Sequence, residues 1–213
     1  MKYSEYFDRR TNTFEKSYEL ILEHMKGLDN EIKKRPYNIV ELGTSRSFVS
    51  GHYPGCMNPD IQYWRPNEPS CWDWGAGIFT KVFSDNLDGK DYRLYTIDPN
   101  RDAIQIATTM CGANRNVHIV QGYSTDFLKK INFTIDFLYM DHMESGEDAC
   151  VQHLADSKYI IENSLMSENG VILIDDIGDN ITHTKGKYSL PYLLENGYKQ
   201  VLAEYQVLLE SDR

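Results

Sequence analysis

The sequence predicts a three-layer α/β domain, with a mainly parallel sheet and helices on both faces. Three observations predict it. Five short apolar runs alternate with segments of helical periodicity, the pattern of successive βαβ units. Nearly every run ends in acidic or small polar residues, and the carboxyl edge of an open α/β sheet is where ligands bind. The chain has 213 residues, enough for one domain (1–213) with a full core, and no linker divides it.

Each element has its own signal. Thr13 to Leu28 is amphipathic, with Phe14, Tyr18, Ile21, Leu22, Met25 and Leu28 at helical spacing, within an N-terminal helical segment over 1–30. Strand one runs through Asn38-Ile39-Val40 into Glu41-Leu42-Gly43-Thr44-Ser45, where a glycine permits close backbone approach and a carboxylate can hold a ligand's polar end. An insert over 51–76 follows. It carries all three tryptophans and four of the seven prolines, and loops of that length are often functional. A helix from about Gly77 to Asn86 leads to strand two, Leu94 to Ile97, ending in Asp98. Asn100 to Met110 is helical, opened by Pro99 and closed by Gly112. Strand three, Val117 to Val120, ends in Gly122-Tyr123-Ser124, and a short helix spans about Thr125 to Lys130. Strand four, Ile135 to Met140, ends in Asp141. The next helix, about Gly146 to Leu165, has Val151, Leu154, Ala155, Ile161 and Leu165 as its expected inner face. Ser167-Glu168-Asn169-Gly170 reads as a turn into strand five, Val171 to Ile174, which ends in Asp175-Asp176. A loop to Gly186, a helix from Tyr188 to Glu195 and a strand-like tail, Tyr198 to Glu210, with the character of a close hairpin, complete the chain.

Composition narrows the function. The formal charge is −10, and the one basic run, Lys33-Lys34-Arg35, suits a helix end or a turn better than a phosphate track, so no nucleic-acid partner is expected. No apolar stretch approaches the roughly 20 residues of a membrane helix, and Met1 to Arg10 is too polar for a signal peptide. The four cysteines form no CxxC pair. A reduced, cytoplasmic protein with no membrane partner is the expectation.

The order of these motifs resembles the class I S-adenosylmethionine-dependent methyltransferases over about Asn38 to Glu210. Glu41-Leu42-Gly43 matches the first motif and Asp98 the second. The resemblance implies a Rossmann-like three-layer sandwich with a seven-stranded, mainly parallel sheet and a C-terminal antiparallel strand. It also implies S-adenosylmethionine as cofactor, with Asp98 on the ribose hydroxyls and Gly122-Tyr123-Ser124 beside the adenine. Thr44-Ser45-Arg46-Ser47 stands where two further glycines are usual; such hydroxyl residues occur in the O-methyltransferases of small molecules. Within the class, the chain is most similar to metal-dependent O-methyltransferases of the catechol and macrocin types. There, Asp141, Asp175 and Asp176 match the ligands of Mg²⁺ or another divalent cation. Such a cation would bind the acceptor hydroxyl and lower its pKa.

Other readings of these residues stay open. Asp98 could cap the following helix, and Asp175 a turn. His142, beside Asp141, and His183, in the loop after strand five, are the candidate catalytic bases, with Lys185 and Lys187 behind them. Glu144 is a further candidate metal ligand. His52, Cys56 and Cys71 fit no standard zinc spacing. The aromatic insert suits either stacking on an acceptor or a core of its own. A dinucleotide-dependent oxidoreductase would want the fuller G-x-G-x-x-G turn. A cofactor-binding module without catalysis would keep the donor pocket alone. The expected partner is a small-molecule hydroxyl acceptor; whether the chain forms a homo-oligomer is left open.

Overall fold

The computed structural model describes residues 14–28, 35–75, 78–87, 89–177 and 184–212. In chain order the elements are α1 (Phe14–Leu28), β1 (Tyr37–Leu42), α2 (Phe79–Asn86), β2 (Tyr92–Asp98), α3 (Arg101–Cys111), β3 (Val117–Gln121), α4 (Ser124–Leu128), β4 (Ile135–Met140), α5 (Glu147–Glu162), β5 (Met166–Ile174), α6 (Ser189–Glu195), β6 (Tyr198–Ala203) and β7 (Val207–Ser211). The seven strands lie in the order β3-β2-β1-β4-β5-β7-β6. The first five are parallel, and β7 runs antiparallel between β5 and β6. The expected C-terminal hairpin is β6–β7. Among the described residues, no helix is long and apolar enough to cross a membrane.

Alternation along the strands builds two cores. Ile39, Leu94, Phe137, Leu173 and Leu208 face one side and pack with α1, α2, α3 and the insert. Val40, Leu42, Ile97, Leu138, Ile172 and Leu209 face the other, under α4, α5 and α6. On α1, Tyr18 and Ile21 are buried, and the Tyr18 ring meets Phe83 of α2 edge-on at 5.0 Å. Arg35, last of the basic triplet, forks onto the fully buried Asp136 with two bonds of 2.6 Å; Lys33 and Lys34 lie outside the described residues.

Two expectations are corrected. The turn expected at Ser167–Gly170 is part of β5. Met166 pairs with Ile135 and Val171 with Phe137, so four residues bulge opposite one. The inner face of α5 is Ala149, Cys150, His153, Asp156, Ser157 and Ile160, while Val151 is 54% exposed. The helix is rotated from its apolar face because its polar side chains are hydrogen-bonded beneath it. The described residues of the insert, 51–75, pack within the chain. Val49 bridges Trp72, and two 3₁₀ turns, Ile61–Tyr63 and Pro69–Cys71, shape it. Trp64, Trp72 and Trp74 stack at centroid distances of 5.5 and 6.0 Å. The indoles of Trp72 and Trp74 donate to the insert's own carbonyls, Arg65 O and Pro69 O, at 2.8 Å each. The tryptophans thus pack on one another and on Phe48, and through Trp72 they join the core on that face of the sheet.

Candidate active site

β1 lies between β2 and β4, where the chain's winding reverses. A crevice outside the strand ends is expected at such a point. A cavity of about 630 Å³ lies there, lined among others by Gly43, Thr44, Asp98, Tyr123, Ser124, Asp141 and His142. Its volume is that of a small-molecule site, about 300–1,000 Å³. Asp98 does not cap α3: Asn100 does, its side chain accepting from Asp102 N. Asp98 instead accepts from Asn100 N at 2.7 Å and Thr44 N at 3.3 Å. Both of its oxygens are therefore held in place with lone pairs to spare. Burial lifts its pKa above the ordinary carboxylate value.

Gly43 has φ +90°, and a Cβ there would sit 2.8 Å from Asp141 O and the His142 backbone. The close approach it permits is to the end of β4, which joins the two strand ends that form the crevice floor. Glu41 and Ser45, each 2% exposed, do not line the large cavity. They meet at Thr80 of α2, whose hydroxyl donates to Glu41 Oε2 at 2.6 Å and accepts from Ser45 at 3.1 Å. Burial pushes Glu41 up to about 8. Gly122 also stays off the cavity wall and donates its N–H to Asp98 O at 3.0 Å.

From α5, Gln152 lines the cavity, and the helix's buried polar face meets the residues of its wall. Asp156, fully buried, lies 3.0 Å from His142 Nε2 and accepts from Ser124 at 2.7 Å, Thr125 at 3.1 Å and Gln152 at 3.1 Å. Burial alone would raise Asp156, but His142 and these donors hold it below the ordinary value. The His142 ring stacks on His153 at 4.3 Å, and both its nitrogens are buried. That burial argues against His142 as the base and makes it a wall of the cavity. His183 lies outside the described residues.

Two of the three aspartates, Asp141 and Asp176, meet at a lysine, and Asp175 is tied to Tyr139 beside them. Lys185, 3% exposed, donates to Asp141 Oδ1 at 2.7 Å and Asp141 O at 3.2 Å and pairs with Asp176 Oδ2 at 2.8 Å. Tyr139 OH donates to Asp175, and Tyr205 OH to Asp176. Burial and Asp175 push Asp141 up to about 7 against the pull of Lys185. Burial opposes the Lys185 ammonium, yet the two carboxylates raise its pKa. As folded, this set does not fit a divalent metal, and among the described residues no group of three His, Cys, Asp or Glu is arranged to hold one. Glu144 is drawn away to Arg46. Met143 and Asp176 both adopt positive φ, at 68° and 54°, and such strain clusters at functional sites.

The sequence reading missed Thr80, Tyr139, Asp156 and Tyr205. For Asp156 there was a signal: Ala149, His153, Asp156 and Ile160 share a helical face. The others come together only through strand pairing and long-range packing.

The strand order is that of the fold shared by solved methyltransferases. The N-methyltransferase NodS from Bradyrhizobium japonicum superposes with a TM-score of 0.52 at 12% identity, over 95% of this chain and 99% of that one. SMU.1697c from Streptococcus mutans, solved in complex with SAH, gives a TM-score of 0.52 at 11% identity, over 90% and 97%. In sequence, the chain is 25% identical over 104 residues to the O-methyltransferase hkm8 of Aspergillus hancockii, a match spanning 47% of this chain. The chain covers only 39% of that relative's length. No protein-family model matches the chain.

Proposed function

We propose that this protein transfers a methyl group from S-adenosylmethionine to a hydroxyl of a small molecule. The observation that carries the reading is Asp98, a carboxylate clamped by two main-chain N–H groups on the wall of a cavity at the sheet's switch point. Bound S-adenosylmethionine supplies an electrophilic methyl carbon on a sulfonium. The chain's own residues do the rest. Asp98 would accept from the ribose hydroxyls, and Tyr123, Ser124 and His142 would border the base. Asp141, at the boundary of cavity and acidic cluster, would receive the acceptor's hydroxyl and take its proton. Alignment of donor and acceptor is the main contribution expected of such a site.

The match to an O-methyltransferase supports an oxygen acceptor, and the formal charge of −10 supports a small molecule over a nucleic acid. A magnesium ion would first have to displace the Lys185 ammonium, and the reading does not need it. Calorimetric titration with S-adenosylhomocysteine tests the proposal. Micromolar binding by the folded chain is expected; no binding at millimolar ligand would overturn it.

A further inference from the structure

The acidic cluster already holds a cation of the chain's own. The three ammonium donors of Lys185 meet three oxygens, Asp141 Oδ1, Asp141 O and Asp176 Oδ2, at 2.7, 3.2 and 2.8 Å. The remaining oxygens of Asp175 and Asp176 are engaged too: Asp175 accepts from Tyr139 OH and, at 2.8 Å, from Asp176 N, and Asp176 also accepts from Tyr205 OH. A hexacoordinate divalent cation would need these same lone pairs. It would also evict an ammonium that is 3% exposed and leave it without its counter-charges.

We infer that Lys185 is the built-in counter-cation of Asp141 and Asp176, standing where the resemblance puts Mg²⁺, so that the site keeps its shape without a divalent metal. Lys185 is enclosed, whereas the side chains of Asp141 and Asp176 are each 29% exposed. It therefore acts through the two carboxylates, as a positioning residue. Its importance to the acceptor rests on the proposed methyl transfer. The exchange of ammonium for metal does not, so the two can fail separately.

The test titrates Mn²⁺ into the donor-free full chain and follows free Mn²⁺ by electron paramagnetic resonance alongside the melting temperature. The wild type should leave Mn²⁺ free up to about 1 mM, the weak end of protein sites for hard divalent cations, with no change in melting temperature. Lys185→Ala, and Lys185→Met with its stem retained, should each gain one Mn²⁺ site and melt higher with the metal. Adding Asp176→Asn should abolish that gain. Mn²⁺ bound by the wild type and lost in Asp141→Asn would overturn the inference. So would folded Lys185 variants that bind no Mn²⁺. Titration of the same samples with S-adenosylhomocysteine reports on the donor site independently.

Discussion

Two carboxylates on neighbouring strands show how environment divides the work of like residues. Asp98 keeps one face toward the cavity while main-chain donors fix the other. A charge-assisted bond of this kind contributes about 1.5–3 kcal/mol, so Asp98→Ala should weaken S-adenosylhomocysteine binding at least tenfold in calorimetry, with the fold intact. Glu41 sits behind it, buried against Thr80, and its pKa of about 8 stands above the ordinary 4.5. Between those values the folded state keeps a proton that the unfolded state has released. Stability therefore falls as pH rises through that window and levels off above it. Glu41→Gln should flatten that slope, measured as the denaturant midpoint from pH 5 to pH 8.5.

At the scale of elements, the site is held by strand ends and by one helix. Gly43 joins β1 to β4 in a left-handed conformation with no room for a Cβ. Gly43→Ala would incur about 1–2 kcal/mol for the conformation alone, with the clash in addition. A lowered denaturant midpoint and loss of ligand binding should appear together. Helix α5 presents Asp156 to His142, Ser124, Thr125 and Gln152. Asp156→Ala strips four partners of a buried acceptor. It should destabilise the fold by about 3–5 kcal/mol and weaken donor binding, whereas Val151→Ala on the exposed side of the same helix should do neither. The apolar periodicity of α5 was misleading because hydrogen bonds let polar residues take the inner face.

For the whole molecule, the cavity couples ligand to stability, because its walls come from the segments after β1 and β4, the end of β2, and α3, α4 and α5. Saturating S-adenosylhomocysteine at a hundred times its Kd should stabilise the fold by about 2.7 kcal/mol. For a chain of this size that corresponds to roughly 5–10 °C in melting temperature, read by scanning calorimetry. EDTA should leave the shift unchanged, since the cation facing the acidic cluster is Lys185.

The sequence alone determined the parallel βαβ order, the C-terminal hairpin and the set of polar strand ends, because periodicity and turn chemistry are local properties. It therefore brought Gly43, Thr44, Asp98, Tyr123, Ser124 and Asp141 to one edge of the sheet. Only the tertiary structure decided which of these line the cavity. It turned Glu41 and Ser45 toward Thr80, rotated α5 onto its polar face, closed the tryptophans of the insert on one another, and set Lys185 among the aspartates. Apart from the tryptophans, each of those outcomes pairs groups far apart in the chain, as Lys185 and Asp141 are. Which buried polar atom satisfies which is settled when the layers pack, and no local pattern encodes it.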